Sequence, residues 1–156
     1  MTPAETLLSL ARAKGAMIAT AESCTGGMVA AAITDVPGSS AIFDRGFVTY
    51  TNAAKQAMLG VTEASLAGHG AVSEPVAREM AAGALVHSDA SLAVAVTGIA
   101  GPGGSDFKPE GRVCFGLARR GHPVTTETID FGPLGRTKVR AAARDHALGL
   151  LLAALA

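Results

Sequence analysis

Ala19-Thr20-Ala21-Glu22-Ser23-Cys24-Thr25-Gly26-Gly27 joins two stretches of different character. Upstream, Ala16-Met17-Ile18-Ala19 is short and apolar, the pattern of a buried strand. Downstream, residues 28–33 are apolar and rich in Ala, the pattern of a helix. The first N–H groups of a helix have no intrahelical acceptor and carry partial positive charge. A strand-to-helix turn therefore stabilises an anion, or an oxygen becoming one. Gly26 and Gly27 keep the approach clear of side chains. Ser23 stands where a nucleophilic hydroxyl would stand, with Thr25 as a second candidate, and either residue would serve equally as a helix cap. The stretch is neither a G-x-S-x-G elbow nor a G-x-x-x-x-G-K-[ST] phosphate loop, so other segments must supply base and binding groups.

Outward from this turn, strands and helices alternate. Thr2-Pro3-Ala4-Glu5 has capping-box spacing and opens a helix that Gly15 ends. The first strand covers about 16–21, and the helix after the turn reaches Thr34. Residues 42–51 are rich in β-branched and aromatic side chains and predict a second strand. Asn52 is the expected cap of a short helix over 53–59, residues 62–67 form a helical turn, and Ser73-Glu74-Pro75 opens a helix to about His87. Leu92-Ala93-Val94-Ala95-Val96 is apolar throughout, as in a strand covered on both faces. Residues 111–119 and 124–131 flank Gly121-His122-Pro123 as a hairpin, and a last helix runs from Arg136 to about Leu152. The order predicts one domain over 1–156: a three-layer α/β/α sandwich with a mixed, mainly parallel sheet and a late antiparallel hairpin. The Ala and Leu of the last helix leave apolar surface for a partner, so a homodimer is expected.

Composition narrows the function. Lys plus Arg and Asp plus Glu number 13 each, and aromatics make up 4% with no Trp, which argues against nucleic acid as a partner. Cys24 and Cys114 stand apart and the four histidines are scattered, so neither a metal site nor a disulfide framework is indicated. No signal peptide or membrane-spanning run is present, and a cytoplasmic setting is expected.

Four further groups bear on chemistry. Tyr50 closes the second strand and Lys55 lies one turn into the next helix, where both would face the crevice at the carboxyl ends of the strands, or where Lys55 would be a solvated charge and Tyr50 a packing residue. Desolvation would let Lys55 act as a base. Thr97-Gly98-Ile99-Ala100-Gly101-Pro102-Gly103-Gly104 follows a buried strand and can turn successive N–H groups toward a phosphate, with Thr97 adding a hydroxyl. Arg136, Arg140 and Arg144 are spaced four apart on the last helix, a spacing suited to an anion or to a solvated face. Glu22 would orient a substrate or Lys55, or cap backbone donors.

These blocks, with Val36-Pro37-Gly38-Ser39-Ser40, Gly46-Phe47-Val48-Thr49-Tyr50, Gly70-Ala71-Val72-Ser73 and Lys108-Pro109, resemble the CinA C-terminal domain family, the nicotinamide-nucleotide amidases. The resemblance covers nearly the whole chain. It implies hydrolysis of nicotinamide mononucleotide to nicotinate mononucleotide and ammonia, without cofactor or metal. By the same resemblance Ser23 is the nucleophile, Lys55 and Tyr50 are its partners, and Lys55 takes the proton directly or through Tyr50. The substrate would be held by Thr25, Gly26, Thr97, Gly98, Gly101, Gly103, Gly104 and Arg140, and N–H groups at the start of the second helix would hold the oxyanion. Members often follow a larger N-terminal domain, and this chain reads as a stand-alone form. It departs from the family pattern in the charged run Lys108-Pro109-Glu110-Gly111-Arg112. The family's final-helix arginine matches Arg140, with Arg136 close by. A non-catalytic nucleotide-binding module built on the same glycine-rich loop is the alternative reading, and a DNA-handling protein a weaker third.

Overall fold

The computed structural model describes all residues from Met1 to Ala156. Helix α1 (Pro3–Lys14) begins as its capping box requires: the Thr2 hydroxyl accepts the Glu5 N–H at 3.2 Å, and Gly15, at φ 63°, ends the helix. Then come β1 (Ile18–Glu22), α2 (Met28–Thr34), a 3-10 turn at Ser39–Ala41 and β2 (Phe43–Val48). Three helices, α3 (Asn52–Leu59), α4 (Glu63–His69) and α5 (Glu74–Val86), separate β2 from β3 (Leu92–Gly98). The hairpin of β4 (Arg112–Arg119) and β5 (Thr125–Asp130) leads into α6 (Arg136–Leu155).

Three local readings change. The expected turn over 62–67 is a whole helix, α4, capped by the Thr62 hydroxyl. Helix α3 is capped by Thr51, whose hydroxyl accepts the Ala54 N–H at 3.1 Å; Asn52 is already its first helical residue. Strand β2 stops at Val48 because its neighbour β1 ends at Glu22: Thr49 makes one last bond to the Glu22 carbonyl, and Tyr50 has no strand left to pair with.

The sheet has strand order β2-β1-β3-β4-β5, with β1 parallel to both β2 and β3 and the last two strands antiparallel. Alternation along β1 and β3 sorts side chains by size. Ile18, Leu92, Val94 and Val96 pack against α1, α2 and α6 through Leu7, Val29, Ile33 and Val139. Ala19, Ala21, Ala93 and Ala95 face α5 and the end of α3 through Val76, Met80, Ala84 and Leu59. The small residues on the second face let α5 approach closely: a Cβ at Gly116 of β4 would stand 2.4 Å from the Ala77 carbonyl oxygen. Both faces are covered, as the unbroken apolar run 92–96 requires. No helix is long and apolar enough to cross a membrane.

Candidate active site

The parallel registers align Glu22 with Val48 on one side and with Val96 on the other. The chain therefore leaves the sheet at residues 23, 49 and 97–98 side by side along one edge, where ligands bind in open α/β sheets. A pocket of about 350 Å³ opens there, with Ser23, Tyr50, Lys55, Thr97, the glycine-rich loop and Arg136 in its walls.

The turn after β1 is longer than a simple strand-to-helix junction. Helix α2 starts only at Met28, behind Gly27 at φ 107°, and no side chain at its N-cap position bonds to it. The cap comes from Glu22, which is fully buried: Oε1 accepts from Thr25 Oγ1 at 2.6 Å and from Val29 N at 2.9 Å, and Oε2 accepts from Ala30 N at 3.1 Å. A carboxylate at a helix N-terminus satisfies orphan donors and meets the positive end of the dipole. Two consequences follow. Ser23 is not needed as a cap, and the helix-start N–H groups expected to hold an oxyanion are already taken. Thr25, fully buried with its hydroxyl on Glu22, and Gly26, packed beside Arg140, do not line the pocket.

Lys55 enters from the first turn of α3. It is 1% exposed, and its Nζ donates to Ser23 Oγ at 3.2 Å and to the carbonyls of Thr49 and Tyr50 at 3.2 and 3.3 Å. No carboxylate pairs with it, and burial pushes its pKa below the ordinary lysine value. Burial also raises the neighbouring Cys24 thiol to about 11, so that group stays protonated at neutral pH. Tyr50 meets Lys55 through its carbonyl only. Its ring is 57% exposed, and its hydroxyl accepts from Arg136 Nη2 at 2.6 Å. The structure thus joins Ser23 directly to Lys55 and places the Tyr50 hydroxyl elsewhere.

Thr97, Gly98, Gly101, Gly103 and Gly104 all line the pocket, but the loop is not an empty anion cradle. Gly103 N donates to Glu110 Oε1 at 2.7 Å, and Gly135 N, at the start of α6, donates to Glu110 Oε2 at 3.0 Å. A carboxylate of the chain itself fills the anion seat. Glu110 lies so close beneath the loop that a Cβ on Gly101 would stand 2.6 Å from its Cδ. Thr97 Oγ1 donates to the Ala71 carbonyl at 2.9 Å, tying β3 to the loop before α5.

The two arginines also exchange places relative to the expectation. Arg136 lines the pocket, donating to the Gly101 carbonyl at 2.7 Å and to Tyr50. Arg140, one turn further along α6, lies behind the Ser23 turn, with Nε on the Cys24 carbonyl at 3.0 Å and Nη2 on the Thr25 carbonyl at 3.4 Å. The sequence reading missed Asp106 and Asn52, which also line the pocket. Asn52 is expected as a helix cap, and nothing in sequence spacing brings residue 106 to Ser23.

The chain's relatives share this architecture. The CinA C-terminal domain family model matches residues 1–155. The nicotinamide-nucleotide amidohydrolase PncC of Escherichia coli K12 is 55% identical over 142 residues, 90% of this chain and 85% of that protein. A CinA-like protein of Chloroherpeton thalassium is 57% identical over 70% of this chain, which spans only 26% of that longer relative. The crystal structure of the competence/damage inducible protein CihA from Agrobacterium tumefaciens is 49% identical and superimposes with a TM-score of 0.94, covering 97% of this chain and 92% of that one. A CinA superfamily protein from Klebsiella pneumoniae, 36% identical, superimposes with a TM-score of 0.93 over 99% and 98% of the two chains. With its sequence matched almost end to end and its fold shared with these solved structures, the chain belongs to the CinA C-terminal domain family.

Proposed function

We propose that this chain hydrolyses the carboxamide of nicotinamide mononucleotide, giving nicotinate mononucleotide and ammonia. The observation that carries the chemistry is the 3.2 Å contact between Ser23 Oγ and the buried, carboxylate-free amine of Lys55. The likeness to the PncC amidohydrolase supplies the substrate. Burial favours the neutral form of this lysine, the form that acts as base, and a serine beside such a base becomes a nucleophile.

Ser23 Oγ attacks the carboxamide carbon as its proton passes to Lys55 Nζ. The tetrahedral intermediate collapses by breaking its C–N bond, and Lys55 returns the proton to the leaving nitrogen, which departs as ammonia. Water then attacks the acyl-serine, giving its proton to Lys55, and Ser23 leaves with that proton restored. The Ser23 N–H is engaged by the Val96 carbonyl, whereas that of Cys24, a residue in the pocket wall, meets no oxygen acceptor in the protein. It is the oxyanion donor in this reading. Arg140 braces the turn that carries this donor by holding the Cys24 and Thr25 carbonyls. Arg136 is the group for the 5′-phosphate, held ready by Tyr50 and Gly101.

The two cysteines are both free and buried. A homodimer remains part of the proposal, and sedimentation of the purified chain tests it. Ammonia release tests the reaction: the wild type should act on nicotinamide mononucleotide far better than on free nicotinamide, and a Ser23→Ala variant should release none. Binding of the nucleotide without ammonia release would leave a nucleotide-binding module instead.

A further inference from the structure

Asp106 is the one carboxylate in the wall of the pocket, and nothing in the protein engages it. It takes part in none of the chain's ion pairs, in contrast to Glu22 and Glu110, whose oxygens are filled by N–H and O–H donors. Its position is nevertheless fixed. Asp106 and Phe107 form a two-residue turn, both left-handed at φ 50° and 62°, closed by Ser105 N on the Lys108 carbonyl at 3.0 Å and Lys108 N on the Ser105 carbonyl at 2.8 Å. The Lys108 ammonium clamps this turn to the loop before α5, donating to the His69 carbonyl at 2.8 Å and to the Val72 carbonyl. Gly104 packs against the Lys108 carbonyl so closely that a Cβ would stand 2.3 Å from its oxygen. A phenylalanine held in the left-handed region, its ring fully exposed, is a conformation the sequence does not favour by itself. The clamp keeps it there, and with it the adjoining carboxylate at the pocket.

Resting on the reaction proposed above, we infer that Asp106 is a specificity-determining residue that selects the cationic pyridinium ring of the substrate. Nicotinamide mononucleotide carries two opposite charges, a quaternary ring nitrogen and a phosphate. The pocket offers one fixed guanidinium, Arg136, and one free carboxylate, Asp106. No donor of the protein neutralises the Asp106 carboxylate, which is exposed and so meets a ligand through a solvent-screened, salt-sensitive field. Pairing phosphate with Arg136 and ring with Asp106 sets the nucleotide in one direction and leaves its carboxamide for Ser23.

The test separates charge from shape. Asp106→Asn removes the charge, keeps the side-chain outline and tolerates the left-handed backbone. KM is measured for nicotinamide mononucleotide, and Ki for the reduced nucleotide, whose dihydropyridine ring is uncharged while ribose and phosphate are the same. The expected result is a KM for the oxidised nucleotide raised about three- to tenfold at low salt, the loss shrinking at about 0.5 M salt, with Ki for the reduced nucleotide unchanged or lower. Equal losses on both nucleotides would assign Asp106 to the shared ribose hydroxyls and overturn the inference, as would an unchanged KM. If the wild type itself releases no ammonia, the proposed reaction falls and this inference with it. Normal wild-type turnover with an unaffected Asp106→Asn variant removes the inference alone.

Discussion

Lys55→Met keeps the length and apolar stem of the side chain and deletes only the buried amine. The amine donates to three oxygens, so the variant leaves the Thr49 and Tyr50 carbonyls short of a donor, at about 0.5–1.5 kcal/mol for each lost bond. Against this stands the desolvation of the amine, where each unit of pKa depression is worth about 1.4 kcal/mol. The two effects oppose, and stability near pH 7 should change by less than about 2 kcal/mol. Their pH dependence is distinctive. Because the folded-state pKa of Lys55 lies below its ordinary 10.5, the unfolded chain binds more protons than the folded one between those two values. Wild-type stability therefore rises with pH across that window, and the methionine variant lacks this rise. Urea unfolding of both proteins at neutral and alkaline pH should show wild type gaining on the variant as pH climbs toward 10.5. Ammonia release by the variant should fall by about 10³-fold. A stability difference that is flat with pH would show that the amine is not desolvated, and activity above about a tenth of wild type would show that Lys55 is not the base.

Ser23→Ala should abolish ammonia release yet shift stability by less than about 1 kcal/mol in urea, because Glu22 rather than Ser23 caps α2; near-normal turnover would return Ser23 to a structural role. Glu22→Gln should cost about 2–3 kcal/mol, since one amide cannot accept from all three donors that the carboxylate satisfies, and a urea midpoint equal to wild type would contradict the cap. Arg136→Ala should raise KM for the mononucleotide at least about tenfold while hardly touching nicotinamide riboside, whereas Arg140→Ala should lower kcat on both substrates. Kinetics of the two variants on the two substrates decide between these assignments. Tyr50→Phe should weaken binding through Arg136 and lower kcat by less than about tenfold; a loss on the scale of Lys55→Met would put its hydroxyl back in the proton path.

The periodicity of the chain carried most of the fold. Apolar strands near 16–21 and 92–96, helix punctuation at Thr2, Gly15 and Ser73, and the late hairpin are local signals, and local sterics and burial enforce them. The same locality made Ser23, Lys55 and the loop 97–104 legible as groups at strand ends, because parallel strands bring their carboxyl ends to one edge.

What the sequence left open depended on where charged side chains go once the strands pair. Glu22 and Glu110 each fold back onto N–H groups of helices and loops that, read in isolation, invite an external anion. One turn of α6 decides that Arg136 faces the pocket while Arg140 braces the Ser23 turn. Asp106 reaches the pocket only through a clamp that Lys108 throws across to residues 69 and 72. Backbone patterns repeat with fixed periods and can be read from a string of residues. The destination of a buried carboxylate or guanidinium is set by whichever unpaired donor or acceptor lies within a few ångströms, and that is fixed only when distant segments meet.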